Sequence, residues 1–194
     1  MKLAIVKYNA GNIRSVVNAV RRLGIGPLVT DDAAEISGAD RIIFPGVGEA
    51  GSAMEYLRTR GLDAAIRSLS QPVLAICLGM QLMCERSEEN NTQCLGILPY
   101  TVKQFANDAM KVPQMGWNTI TDLSSPLFDG ISEDERLYFV HSYFVDSCEQ
   151  TIAVAEYGTK FSAAIRRDNF FGVQFHPEKS GPAGAKILEN FLKL

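Results

Sequence analysis

Apolar positions along the chain change period several times. Short apolar runs lie within 2–7, 27–29, 41–44 and 73–76, including Leu3-Ala4-Ile5-Val6, Ile42-Ile43-Phe44 and Val73-Leu74-Ala75-Ile76. Runs of strand length that are apolar at successive positions read as strands buried on both faces. Between the first two, Ile13, Val16, Val17, Val20 and Leu23 recur at helical spacing and Gly24 closes the pattern. A polar turn, Tyr8-Asn9-Ala10-Gly11-Asn12, precedes that helix. A turn and short helix are expected over 31–37, and helices over about 52–60 and 62–69. Strands alternating with helices predict a mostly parallel central sheet with helices on both faces.

The second half reads differently. From 95 to 120 short apolar pieces are broken by Gly, Pro and Asn, which predicts short strands and long loops at one end of the sheet. Ser124-Ser125-Pro126-Leu127-Phe128 is a turn into a short helix. Segments 137–145, 152–157, 162–166 and 170–175 read as strands, partly antiparallel because their connections are short. A last helix places Ala183, Ile187, Leu188, Phe191 and Leu192 on one face. No linker, charge run or repeat divides the chain, so one α/β domain is expected over 1–194.

Composition narrows the function classes. The 194 residues are 46% hydrophobic and 21% charged, ordinary for a globular protein with a sizeable core. A net charge of −3 gives no support for nucleic-acid binding. No apolar run approaches the roughly 20 residues of a membrane span, and Lys2-Leu3-Ala4-Ile5-Val6 is too short for a signal sequence. A cytoplasmic protein without a membrane partner is expected. Cys77, Cys84, Cys94 and Cys148 form no C-x-x-C pair and there are only two histidines, so neither a metal site nor a disulfide framework is expected.

Three stretches carry candidate chemistry. In the first, Cys77 stands between the apolar run 73–76 and a helical pattern through Met83. A sharp strand-to-helix turn of this kind lifts a nucleophile above the sheet edge, at a helix N-terminus that favours a thiolate; the alternative is a buried structural cysteine. In Gly172-Val173-Gln174-Phe175-His176-Pro177-Glu178, His176 follows an apolar strand and Glu178 stands two residues on. Residues two apart in an extended segment point the same way, so Glu178 would hold one ring nitrogen and leave the other free as a base. The alternative is an unrelated His and Glu in a loop. Pro45-Gly46-Val47-Gly48 follows a buried strand and can aim backbone N–H groups at an oxyanion, or simply form a tight turn.

Together the order Pro-Gly-Val-Gly, Cys-Leu-Gly-Met-Gln and Gln-Phe-His-Pro-Glu resembles the class I (triad) glutamine amidotransferases, over nearly the whole length. Tyr8-Asn9-Ala10-Gly11-Asn12, Pro45-Gly46-Val47-Gly48, Gln114-Met115-Gly116-Trp117-Asn118 and Tyr138-Phe139-Val140-His141-Ser142-Tyr143 resemble the branch that serves imidazole glycerol phosphate synthase in histidine biosynthesis. Two positions depart from that pattern: Ala75 stands where glycine is usual and Gln114 where histidine is common.

The resemblance implies that L-glutamine is hydrolysed through a Cys77 thioester, with His176 as base and Glu178 as its orienter. Leu78 and the Gly46-Val47-Gly48 loop would form the oxyanion hole. Gln81, Glu89, Ser142 and Tyr143 would bind substrate, and no cofactor is needed. Ammonia would pass to a (β/α)8-barrel cyclase subunit, with Asn12, Trp117 and Lys179 facing it in a heterodimer. If the loop must flip a peptide to supply its N–H, the glutaminase stays silent until the partner signals. His141 reads as a structural hydrogen-bonding residue, and Cys84, Cys94 and Cys148 as packing residues. The alternatives are the glutaminase subunit of another triad enzyme, such as anthranilate synthase, and a non-catalytic regulatory protein of the same fold.

Overall fold

The computed structural model describes residues 1–9, 12–106 and 110–194. Ala10 and Gly11 of the predicted turn lie outside the described residues, as do Asn107, Asp108 and Ala109 of the loop-rich segment. The first half runs β1 (Leu3–Val6), α1 (Ile13–Arg22), β2 (Leu28–Thr30), α2 (Ala33–Ser37), β3 (Arg41–Phe44), α3 (Ala50–Thr59), α4 (Leu62–Arg67), β4 (Val73–Ile76) and α5 (Leu78–Leu82). The second half runs β5 (Cys84–Ser87), β6 (Thr92–Gln93), β7 (Leu98–Gln104), β8 (Gln114–Thr119), β9 (Arg136–His141), β10 (Tyr143–Phe144), β11 (Thr151–Tyr157), β12 (Thr159–Arg167), β13 (Phe170–Val173) and α6 (Gly181–Lys193).

Among the described residues the main sheet has the order β11-β12-β13-β4-β3-β1-β2. Strands β13, β4, β3, β1 and β2 pair in parallel, whereas β11 and β12 are antiparallel. The all-apolar central strands divide their side chains between two cores. Ile43, Leu74 and Ile76 pack with Val16 and Val20 of α1 and with Ile187, Leu188 and Phe191 of α6. Ile42, Phe44, Val73 and Ala75 pack on the other side with Ile36, Met54, Leu57, Leu62 and Ile66. That division explains why these strands show no alternation in the sequence.

Three expected boundaries move. The helical pattern through Met83 ends at Leu82, and Cys84-Glu85-Arg86-Ser87 forms β5. Its two ends are buried and its two middle residues exposed, so no strand period was visible. The segment 95–120 is more regular than expected, with β7 in a second sheet of order β10-β7-β5-β6 and β8 in a ribbon with β9. The strand expected over 137–145 breaks at Ser142. There the Ser142 carbonyl accepts from Phe105 N–H at 3.0 Å and the chain passes from the β8–β9 ribbon to the second sheet.

Consequently the C-terminal ends of β1, β3, β4 and β13 share one sheet edge, carrying Tyr8, Pro45–Gly48, Cys77 and the Gln174–Glu178 segment. Ligand sites of open parallel sheets lie at this edge.

Candidate active site

Cys77 leaves β4 with φ 52° and ψ −108°, a conformation that a β-carbon disfavours. Its backbone is held on both sides: its N–H donates to the Val173 carbonyl at 2.7 Å, and its carbonyl accepts from Gln81 N–H at 3.1 Å. The turn is tight because the loop after β3 passes directly against it. A β-carbon at Gly79 would lie 2.2 Å from the Phe44 carbonyl oxygen, and one at Gly46 would lie 2.6 Å from the Gly79 nitrogen. Only glycine permits both approaches. Ala75 does not crowd the elbow. It sits within regular β4, fully buried, paired with Phe44 and Gly172.

His176 and Glu178 meet as the sequence implied, through a different local geometry. Only His176 is extended; Pro177–Lys179 is a single 3-10 turn, which proline readily opens. The turn, not an extended run, brings Glu178 Oε1 to 2.8 Å from His176 Nδ1. Ser180 Oγ donates to the His176 carbonyl at 2.6 Å, and His176 N–H donates to the Tyr138 carbonyl at 2.8 Å, which pins the segment. With Nδ1–H given to Glu178, Nε2 is the other nitrogen; it is buried and, among the described residues, has no partner at hydrogen-bond distance. Burial pulls the imidazole pKa down, but the Cys77 sulfur and then Glu178 outweigh it and push it up to about 10. Cys77, His176 and Glu178 therefore stand in one electrostatically coupled series.

A cleft of about 230 Å³ opens over Cys77. Its walls include Val47, Gly48, Leu78, Gln81, Glu89, Ser142 and Tyr143. Every residue assigned to substrate binding thus borders one cavity, of a size for a small metabolite rather than the roughly 300–1,000 Å³ of larger ligand pockets. Glu89 is partly buried, which raises its carboxyl pKa, while a hydrogen bond from Ala50 N–H at 2.8 Å opposes that rise. Of Cys77, His176 and Glu178, only Cys77 borders the cleft among the described residues.

The backbone groups expected as oxyanion donors are not presented. Leu78 N–H donates to the Gly46 carbonyl at 3.3 Å, so the Gly46–Val47 peptide directs its oxygen, not its N–H, toward the elbow. Tyr8 hydroxyl donates to the Pro45 carbonyl and holds the peptide before it.

His141 is a structural residue, as expected. Burial pulls its pKa down to about 4 and keeps it neutral. Its Nδ1 meets the Tyr143 carbonyl oxygen at 2.8 Å and must carry the proton; its Nε2 lies 3.0 Å from the Gln114 amide oxygen. Because a neutral His141 can only accept at Nε2, its hydrogen bond there requires the Gln114 oxygen and NH2 group to be exchanged. Gln114 therefore has a buried partner despite replacing the usual histidine. Burial also raises the thiol pKa values of Cys84 and Cys94, consistent with inert packing residues.

Trp117 is 53% exposed and Met115 64% exposed on β8. The Trp117 ring stacks edge-on against Tyr138 at 5.9 Å, and Lys179 Nζ sits 5.6 Å from the Tyr138 ring centroid. Asn12 Nδ2 lies 3.5 Å from Glu178 Oε1. Tyr138 thus links Trp117 to Lys179, and Asn12 touches the triad directly.

The family model for "Glutamine amidotransferase class-I" matches residues 4–194. The chain belongs to the class-I glutamine amidotransferase family. As a member it is an enzyme that hydrolyses glutamine for its amide nitrogen. A protein of Bacteroides fragilis named imidazole glycerol phosphate synthase subunit HisH is 56% identical over 196 residues, covering all of both chains. The protein of that name from Colwellia psychrerythraea is 46% identical, covering all of this chain and 93% of its own. Solved structures share the fold: one described as a glutamine amidotransferase aligns with a TM-score of 0.74 at 19% identity, covering 98% of this chain and 97% of its own. PurLQS from Thermotoga maritima aligns with a TM-score of 0.70 at 18% identity, covering 99% and 97%.

Reading the amidotransferase sequence alone missed four neighbours of the site. Tyr8 and Val140 act through a hydroxyl and a carbonyl that only the fold aims, and Pro113 reaches the cleft from a loop. Gln174 had a visible signal, a polar residue inside an apolar strand.

Proposed function

We propose that the chain is the glutaminase subunit of an imidazole glycerol phosphate synthase. Cys77 attacks the side-chain amide carbon of L-glutamine as the thiolate, its proton held by His176 Nε2. The C–N bond breaks as His176 returns that proton to the leaving ammonia. Water, deprotonated by His176, then hydrolyses the γ-glutamyl thioester to L-glutamate and restores the thiol. Glu178 holds the imidazole in the tautomer that exposes Nε2. Gln81, Glu89, Ser142 and Tyr143 hold the amino-acid end of the substrate. The observation that carries this reading is the 2.8 Å His176–Glu178 contact beside a backbone-strained Cys77 at the floor of a metabolite-sized cleft.

Rotation of the single Gly46–Val47 peptide would supply both oxyanion donors. It withdraws the Gly46 carbonyl from Leu78 N–H and turns Val47 N–H toward the elbow. Ammonia passes to a (β/α)8-barrel cyclase in the cytoplasm, giving imidazole glycerol phosphate and the aminoimidazole carboxamide ribotide. Asn12, Trp117 and Lys179 face that partner, and its docking against the Tyr138 patch biases the loop.

The test is a paired assay with the barrel cyclase and its nucleotide substrate. Glutamine-dependent formation of imidazole glycerol phosphate is expected, together with labelling of Cys77 by an electrophilic glutamine analogue. Formation of anthranilate with an anthranilate synthase large subunit, but no imidazole product with the cyclase, would overturn the assignment.

A further inference from the structure

The side-chain amide of Gln174 touches the proposed nucleophile yet has no part in the mechanism above. Gln174 is fully buried between β13 and His176, with its backbone N–H bonded to the Ala163 carbonyl at 2.8 Å. Its Nε2 lies 3.5 Å from Cys77 Sγ, and its Oε1 lies 3.1 Å from Gln81 Nε2. The polarity of this series is fixed at its far end. Gln81 also contacts the Tyr143 carbonyl at 2.9 Å, and a carbonyl can only accept. The Gln81 atom there is therefore its NH2 group, which has a second proton for Gln174. That proton requires the oxygen of Gln174, and so directs the Gln174 NH2 onto sulfur. The opposite orientation would set donor against donor and bury a carbonyl oxygen against Sγ.

Two titratable groups face the sulfur, the His176 imidazole and the Tyr8 hydroxyl, and a further polar neighbour makes the Gln174 contact consequential. The Val140 carbonyl lies 3.7 Å from Cys77 Sγ. It accepts from a thiol and repels a thiolate. A donor from Gln174 favours the charged form and offsets that repulsion. We infer that Gln174 is a positioning residue for Cys77: its amide, locked by Gln81 and the Tyr143 carbonyl, fixes the sulfur and stabilises it as thiolate. The inference rests on the reading of Cys77 as the nucleophile. It also connects the cleft, which Gln81 lines, to the reacting sulfur through two hydrogen bonds.

The test compares wild type with Gln174→Met, which removes both hydrogen bonds at similar volume, and Gln174→Glu, which replaces the donor with an acceptor. Alkylation of Cys77 by iodoacetamide is followed against pH in the full chain, with the adduct located by peptide mapping. Glutamine hydrolysis is measured with the cyclase present. Loss of a hydrogen bond to a charged group moves the alkylation midpoint up by roughly one pH unit in Gln174→Met, and further in Gln174→Glu. The kcat is expected to fall about tenfold while KM moves less than about twofold.

An unmoved midpoint overturns the inference, whether the variants only melt earlier (a packing role) or only raise KM (a role through Gln81). The unmutated protein supplies a check independent of the variants' folding. The NMR shifts of the Gln174 side-chain NH2 are expected to follow the Cys77 titration and to lose that dependence in Cys77→Ala. Shifts that ignore the thiol overturn the inference. If hydrolysis survives complete alkylation of Cys77, the nucleophile assignment falls and this inference with it. If alkylation abolishes hydrolysis but Gln174 variants keep the wild-type midpoint, only the role of Gln174 falls.

Discussion

The proposed triad and the proposed oxyanion loop share one sheet edge but stand in different states of readiness. The side chains of His176 and Glu178 are buried and bonded to each other at 2.8 Å, and Tyr138 and Ser180 pin the segment. The Gly46–Val47 peptide is also held, but in the wrong sense, with its oxygen against Leu78 N–H. Side chains that must transfer protons are thus set by packing. The backbone group that must stabilise charge is left to one peptide rotation. If, as proposed, the chain passes ammonia to a partner, it gains from this division, because hydrolysis without an acceptor wastes glutamine. The step that is withheld costs little to reverse: one hydrogen bond between backbone groups has a net value of about 0.5–1.5 kcal/mol.

The largest break is expected on the ready side. Cys77→Ala should lower partner-stimulated glutamine hydrolysis by roughly 10⁴-fold or more, and Glu178→Gln by about 10²–10⁴. Both should leave cyclase binding intact in a titration. Gly46→Ala strikes both sides at once, since its β-carbon would sit 2.7 Å from Leu78 Cβ and 2.6 Å from the Gly79 nitrogen. Hydrolysis should fall by about 10²–10³, the worth of an oxyanion donor. Urea unfolding should show a loss of about 1–3 kcal/mol from overpacking.

The ready side also carries a pH signature. His141 has a folded pKa near 4, below its ordinary 6.5, so it contributes fully above pH 6.5 and its contribution is lost as pH falls through 4. That loss should reach roughly 3 kcal/mol in urea titrations at successive pH values, and His141→Phe should flatten it. His176 gives the opposite limb: its raised pKa stabilises fully below pH 6.5 and that share is lost as pH rises through about 10. The smallest effect is expected at the surface. Trp117→Ala should weaken cyclase binding by about 2 kcal/mol, or about thirtyfold, with an unchanged Tm because the ring is 53% exposed.

What was legible in the sequence follows the same division. Central strands were visible because both faces are buried, and Cys77, His176 and Glu178 because their residue types announce their chemistry. β5 was hidden because its ends, not alternate residues, are buried. Its neighbour α5 spans only Leu78–Leu82, and its first N–H is spent on Gly46. The helix N-terminus therefore contributes less to Cys77 than the strand-to-helix pattern suggested, and His176 and Gln174 stand closer to the sulfur's chemistry. The direction of the Gly46 carbonyl could not be read at all. Pro-Gly-Val-Gly permits either orientation, and only the approach of the elbow selects one. Ala75 and Gln114 departed from the expected pattern, yet a regular strand position and a His141 partner accommodate them.

The most direct test measures two rates on the same chain, with and without the barrel cyclase: glutamine hydrolysis and iodoacetamide alkylation of Cys77. Alkylation forms no oxyanion and reads only the sulfur and its base. The expected result is hydrolysis that rises by about 10²–10³ with the partner while alkylation stays within about twofold. Full hydrolysis by the isolated chain, or alkylation rising in step with hydrolysis, would contradict a finished triad waiting on one peptide.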